Sequence, residues 1–264
     1  MKVLWECNNY DCSYKYKGEF MGETHLPDTD CPECGYHDSM IETKEFQDNK
    51  MTQVKLISSS SSNMIEDIAM MARVSNPSNQ HNTETSEKLV RYLVKHKHWS
   101  PFEMASICLE INTTRDIAKQ ILRHRSFSFQ EFSQRYADPS AMGYPFELRE
   151  GRMQDPVNRQ NSIESSDTLV EQHWIQQQKK VIAAAENAYN WALENGIAKE
   201  QARSVLPEGL TKTRMYMNGT VRSWMHYIDV RTTPGTQKEH MDIARMCAYE
   251  INSIFPMIKD SVHE

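Results

Sequence analysis

Long apolar runs are missing from this 264-residue chain, and that absence excludes the most. No stretch approaches the ~20 consecutive apolar residues needed to cross a bilayer. The N-terminus, MKVLWECNNYD, lacks the apolar centre of a signal peptide, so a soluble, cytoplasmic protein is expected. Net positive charge is missing too: 30 Lys+Arg face 36 Asp+Glu, a balance of −6, which argues against holding nucleic acid or anionic membrane by bulk electrostatics. Any anion site must come from a local cluster. Glycine and proline are scarce, at 9 and 10 residues. With 39% hydrophobic and 25% charged residues, the composition is that of one sizeable core plus a small appendage, not of a disordered chain. There is no internal repeat, and serine run 58–62 is the only low-complexity tract.

Six cysteines are present, four of them in the first 34 residues as Cys7-x4-Cys12 and Cys31-x2-Cys34. Two short turns that each supply a thiolate pair can complete a zinc tetrahedron without a large core. CPECGY has the tighter knuckle spacing, with Gly35 for the close turn; CNNYDC is less diagnostic, and His25 or His37 could substitute as ligands. A closed four-cysteine sphere would make the zinc structural rather than catalytic. The alternatives are two disulfides or reduced cysteines, and a reducing compartment disfavours the disulfides. Residues 1–45 are therefore expected to form a zinc-ribbon-like unit, with the main domain at 51–264.

In the main domain, residues 53–58 read as a strand, 63–75 as a helix capped by Asn63, and 86–96 as a second helix that places Leu89, Tyr92 and Leu93 on one side. A strand is expected at 104–111, then a helix at 115–125 capped by Thr114. A long helix should begin at Ser165 or Ser166 and stop at Asn195-Gly196. A strand near 210–218 and helices near 219–229 and 236–255 complete the pattern. Without regular βαβ alternation, the class is α+β. Cys108 and Cys247 sit in apolar patterns, Cys247 on the stripe Ala244, Cys247, Ala248, Ile251 and Phe255, and read as packing residues rather than nucleophiles.

The densest chemistry is RHRSFSFQEFSQR, residues 123–135. If its second half is extended, period two aligns Glu131, Ser133 and Arg135, while the preceding helix places Gln120, Arg123 and His124 together. Arginine forks suit phosphate; a glutamate among them suits sugar hydroxyls or imide N–H groups, so a whole nucleotide fits better than a bare phosphate. On composition alone, a solvated face of surface ion pairs accounts for the same residues equally well.

The order of motifs decides between these. Arg123-His124-Arg125, seven residues, then Ser133 forms an RHR-x7-S signature. MARVS, HKHWSPFE, ARSVLP and TRMYMNGTVRSWMHYIDVR flank it in one collinear order over about residues 51–256. In these blocks the chain resembles the flavin-dependent thymidylate synthases. The resemblance implies an α+β homotetramer with sites shared between subunits. It also implies dUMP as substrate, FAD as cofactor, and 5,10-methylenetetrahydrofolate and NADPH as co-substrates.

Carried over residue by residue, Gln120, Arg123, Glu131, Ser133, Arg135, Arg203 and Arg231 would contact dUMP, with Arg231 as the catalytic cation that favours N3 ionisation. Ser75, His98, Ser100, Arg123, His124, Arg125, Glu131, Thr220, Arg222 and His226 would line the flavin. On the helix carrying the last of these, Val221, Trp224, Met225 and Ile228 should be buried, opposite Arg222, His226 and Asp229. Thr220 and His226 stand where relatives often carry asparagine, and Met104 where histidine is common. The competing reading from another class is a zinc-ribbon nucleic-acid-binding protein that grips phosphate with the arginines, which the net charge of −6 counts against.

Overall fold

The computed structural model describes Lys2–Cys7, Lys15–Glu19, Met40–Thr43 and residues 52–263. Strands β1 (Lys2–Cys7), β2 (Lys15–Glu19) and β3 (Met40–Thr43) form a sheet of their own in the order β2-β1-β3, antiparallel throughout. The expected zinc cluster lies outside this description: Cys12, Cys31 and Cys34 are not among the described residues, and only the backbone of Cys7 is, at the end of β1.

The main domain opens with β4 (Gln53–Ser59), α1 (Met64–Ala72), α2 (Ser86–Lys95), β5 (Ser106–Thr114), α3 (Arg115–Ile121) and β6 (Ser128–Glu131). A small hairpin follows, β7 (Arg152–Gln154) and β8 (Ser162–Glu164), then the long α4 (Thr168–Glu194) and the single turn α5 (Lys199–Ala202). The chain returns to the sheet in β9 (Lys212–Thr220) and ends with α6 (Val221–Thr232) and α7 (Lys238–Asn252). The four-stranded sheet runs β4-β5-β9-β6, every pair antiparallel. The expected α+β class holds.

Alternation sets which face of the sheet is covered. Ile107, Leu109 and Ile111 of β5 and Met215 and Met217 of β9 are buried, whereas Glu110, Arg214 and Tyr216 point the other way, with the Tyr216 hydroxyl donating to Glu110 at 2.8 Å. Helix α7 packs across β4, and α6 packs against α7. The core they enclose contains Trp224, whose indole N–H donates to the Ile107 carbonyl at 3.0 Å, so its one polar atom is satisfied inside the core. Val221, Trp224, Met225 and Ile228 are buried, and Arg222, His226 and Asp229 exposed, as expected of α6. Asp229, left without a role by the sequence, accepts from the His263 ring at 2.7 Å and ties down the C-terminal tail. Cys247 is fully buried, and burial raises its pKa; burial likewise raises that of Cys108, so both thiols stay protonated as packing residues.

Several expected boundaries move. Helix α4 starts at Thr168 because Asp167, not Ser165 or Ser166, accepts from the backbone N–H groups of Leu169 and Val170 at 3.0 and 3.2 Å. Its far end is as expected, with Asn195 as cap and Gly196 at φ 75°. Asn63 and Thr114 precede their helices but do not cap them; the Thr114 hydroxyl donates to Asp116 instead. On α2 Val90 is buried in place of Tyr92, which is exposed and stacks on His96 at 4.1 Å. Among the described residues, no helix is long and apolar enough to cross a membrane.

Candidate active site

The RHR segment is not helical. Helix α3 ends at Ile121, and Arg123, His124 and Arg125 occupy tight turns in which the His124 N–H reaches the Ile121 carbonyl at 3.0 Å. The correction has a tertiary cause. Residues 122–127 must turn the chain so that β6 can join the edge of β9, and Phe127 must enter the core against Trp224. The extended tail is likewise shorter than expected. β6 stops at Glu131, Phe132 donates to the Arg214 carbonyl at 2.9 Å, and Ser133 to Tyr136 fold into a turn. Glu131, Ser133 and Arg135 therefore do not share one strand edge.

Three groups of site residues result. In the first, Arg231 near the end of α6 donates through Nε to His124 Nε2 at 2.8 Å. This leaves the two Nη groups of the fork for other acceptors. Burial, together with the charges of Arg231, His226 and Arg123, lowers the His124 pKa to about 4, so the imidazole is a neutral acceptor near neutral pH. Burial also lowers the Arg231 pKa, but a guanidinium stays charged. Gln120, half-buried on α3, belongs to this group through its bond to His240 of α7.

The second group is Glu131, Ser133, Arg135 and Arg203. Glu131 Oε1 accepts from Thr213 at 2.9 Å and pairs with Arg115 at 3.4 Å. Ser133 and Arg135 line a cavity of about 380 Å³ with Tyr136, Lys199 and Glu200, and Arg135 pairs with Glu200 at 3.2 Å. Arg203 donates to the Glu200 carbonyl at 3.3 Å. Among the described residues, no hydrogen bond joins this group to Arg231, Gln120 or His124.

The third group lies around the start of α6. Thr220 accepts from the Ser223 N–H at 3.2 Å and so caps the helix, while Arg222 is ion-paired to Glu103, next to the exposed Met104. Glu103 and Ser100 share the short 3-10 turn Ser100–Glu103. The chain reaches that turn through Lys97 at φ 57°, where the His98 and Lys97 N–H groups cap the Leu93 and Val94 carbonyls, a helix stop usually made by glycine. His98 is exposed beside Tyr92 and His96, and Ser75 is exposed in the turn after α1; neither joins the three groups through a hydrogen bond among the described residues.

Charge pairing divides the arginines of the site itself. Arg115, Arg135, Arg149, Arg152, Arg214 and Arg222 each have a carboxylate partner. Among the described residues, Arg123, Arg125, Arg203 and Arg231 have none, and neither do Arg73, Arg159 and Arg245 outside the three groups. The four that belong to the candidate site, in a chain of net charge −6, are a donor set suited to phosphate.

Sequence reasoning missed His240, Tyr227 and Gln237. A signal existed for one of them, because His240 continues the buried stripe Ala244, Cys247, Ala248 and Ile251 by one turn. It also missed Gln134, buried with its Nε2 unpartnered among the described residues. His240 carries a prediction. Burial, then Arg231 and His124, lower its pKa from 6.5 to about 3. Below pH 6.5 the unfolded chain binds a proton that the folded chain refuses, so this group should reduce stability by about 1.4 kcal/mol per pH unit on acidification. Chemical denaturation at pH 7, 6 and 5 should show a shallower decline for His240→Asn than for the wild-type chain; parallel declines would contradict it.

Taken together, fold and site define an α+β protein built to hold a phosphorylated ligand rich in hydrogen-bonding groups. The chain belongs to the thymidylate synthase complementing protein family (Thy1), which it matches over residues 55–257. It is 50% identical over 191 residues to a probable flavin-dependent thymidylate synthase of Paramecium bursaria Chlorella virus 1, covering 72% of this chain and 87% of that one. It is 48% identical, also over 191 residues, to the flavin-dependent thymidylate synthase of Synechocystis, covering 72% and 86%. Among solved structures, it resembles the UMP/dUMP methylase PolB from Streptomyces cacaoi bound with 5-Br dUMP, with TM-score 0.66 and 26% identity, covering 79% of this chain and 93% of that one.

Proposed function

We infer that this chain catalyses the flavin-dependent conversion of dUMP to dTMP. The observation that carries the reading is the set of uncompensated arginines around the RHR turn, in a chain whose relatives are named for that reaction. Arg123 and Arg125 suit the phosphates of nucleotide and FAD, and Glu131 supplies an acceptor for N–H or hydroxyl groups. The residues present therefore fit both molecules. When bound, flavin supplies the redox chemistry that completes the methyl group, with 5,10-methylenetetrahydrofolate as one-carbon donor and NADPH as reductant in this proposal.

The chain's own part is electrostatics and orientation. Arg231, its fork aimed by the neutral His124, would stabilise negative charge pushed into the pyrimidine ring, which makes C5 nucleophilic. Gln120, Ser133, Arg135 and Arg203 would complete the nucleotide contacts. Ser75, His98, Ser100, Thr220, Arg222 and His226 would line the flavin. Among the described residues no hydrogen bond joins the Arg231 and Arg135 groups within one chain, which agrees with sites shared between subunits of a homotetramer. The exposed apolar side chains of α4, among them Leu169, Trp174, Val181 and Trp191, agree with the same assembly.

The test is direct. The purified protein should be yellow and should release tritium from 5-labelled dUMP when the folate and NADPH are present. A colourless protein after reconstitution with FAD, inert toward dUMP, would overturn the reading. For residues 1–45 we propose a separate unit whose four cysteines hold structural zinc, on the spacing of Cys7, Cys12, Cys31 and Cys34. Metal analysis should find about one zinc per chain, lost with destabilisation in Cys31→Ser. Zinc-free protein with an unaffected variant would refute it.

A further inference from the structure

A line of hydrogen bonds runs beneath the candidate site from α6 to the start of α7. Tyr227 meets His240 Nε2 at 3.2 Å, His240 Nδ1 meets Gln120 Oε1 at 3.2 Å, and Gln120 Nε2 meets Gln237 Oε1 at 2.7 Å. Gln237 Nε2 in turn meets Glu239 Oε2 at 2.9 Å. Its direction follows from that last member. Glu239 is half-buried and ion-paired to Arg152 at 2.6 Å and Arg149 at 3.4 Å. These partners lower its pKa although burial opposes them, so the carboxylate only accepts.

Gln237 must therefore turn its N–H groups to Glu239 and its carbonyl to Gln120. Gln120 must then donate to Gln237 and accept from His240. Hence the His240 proton sits on Nδ1, the Nε2 lone pair faces the Tyr227 hydroxyl, and that hydroxyl donates. A protonated imidazole would instead donate Nε2–H to the Tyr227 oxygen and still carry its proton on Nδ1, so the bond to Gln120 has the same direction in either form. The depressed pKa of His240 agrees with the neutral form. The titratable groups that act on the ring are Arg231 and His124, the latter edge-on to Tyr227 with ring centres 4.9 Å apart.

We propose that His240 is a positioning residue for nucleotide binding: its Nδ1–H fixes the orientation of the Gln120 amide. One N–H and one carbonyl lone pair of Gln120 are then left for substrate in a set arrangement. Without that bond only Gln237 would hold the amide, and dUMP would have to fix its orientation on binding, which weakens affinity by about the worth of the lost hydrogen bond. This rests on the reading above, in which Gln120 contacts dUMP.

The test uses the full-length flavin-loaded enzyme and dUMP. His240→Leu should raise the dUMP Kd and KM about tenfold with kcat changed less than about twofold and flavin absorbance retained. His240→Asn, whose amide N–H can take the place of Nδ1–H, should bind dUMP more tightly than His240→Gln, whose longer side chain reaches toward Tyr227 instead. In a Gln120→Ala background, His240→Leu should add almost nothing. Wild-type dUMP affinity in His240→Leu, or equal affinities for the Asn and Gln variants, would overturn the inference alone. That second comparison stands even if the leucine variant does not fold. Wild-type protein that holds flavin but does not bind dUMP would overturn the parent reading, and this inference with it.

Discussion

Arg231→Ala should lower the rate of dTMP formation about 10²–10³-fold while leaving flavin content close to that of the wild-type protein. The size of the effect follows from position. Arg231 lies in a partly buried place, has no carboxylate partner among the described residues, and donates to an imidazole that low pKa keeps neutral. Its charge is therefore held by the fold but not neutralised, which is how a cation serves a ring that gains negative charge during reaction. Arg231→Lys should recover little, because an ammonium cannot donate to His124 and still offer a planar fork to the substrate. Turnover assays with flavin absorbance on the same samples decide it. Unchanged turnover in the alanine variant would refute the role, and loss of flavin together with turnover would assign Arg231 to cofactor binding instead.

Gly219→Val should lower stability by about 3 kcal/mol, a fall of about 6–12 °C in Tm for a domain of this size. A Cβ built at Gly219 would lie 2.3 Å and 2.5 Å from the Cδ1 and Cε1 atoms of Phe127. Phe127 cannot retreat. Its ring meets Trp224 edge-on at 4.8 Å and Tyr227 at 6.0 Å, both without solvent exposure. The glycine is needed for this approach alone, since its backbone is ordinary strand within β9. Because Phe127 follows the RHR turn by two residues, displacing it should also weaken dUMP binding. Phe127→Ala in the same chain would relieve the clash, so the double variant should lose less than the sum of the two single losses. Thermal denaturation of the three variants would show this, and an unchanged Tm for Gly219→Val would contradict it.

These two residues differ in how far the sequence exposed them. Arg231 could be named from its block, since the order of HKHWSPFE, RHR, ARSVLP and the final arginine survives in one dimension. Gly219 fell where the expected strand gives way to the expected helix, a place that asks nothing particular of a glycine. Nothing local to Asn218-Gly219-Thr220 says that Phe127 lies across it. The relay under Gln120 was equally hidden, because its members come from α3, α6 and the start of α7 and meet only when those helices pack.

Helix faces were legible where burial alone decides them. The alternation of α6 predicted Val221, Trp224, Met225 and Ile228 inside and Arg222, His226 and Asp229 outside, and each lies so. Ends were less legible where a side chain competes with the backbone or another element intervenes. Asp167 capped α4 ahead of two plausible serines, and α3 stopped four residues before its periodicity did because β6 had to reach β9.

The sequence by itself determined the α+β class, the apolar faces, the family and the residue types of the site, because periodicity and motif order are written along one chain. Only the tertiary structure decided which arginines lack a counter-charge, that His124 is a neutral partner of Arg231, and which way the Gln120 amide faces. Those properties depend on burial and on neighbours brought from distant segments. Charge compensation, pKa and hydrogen-bond direction are properties of a surrounding in space, and a surrounding exists only once the chain has packed.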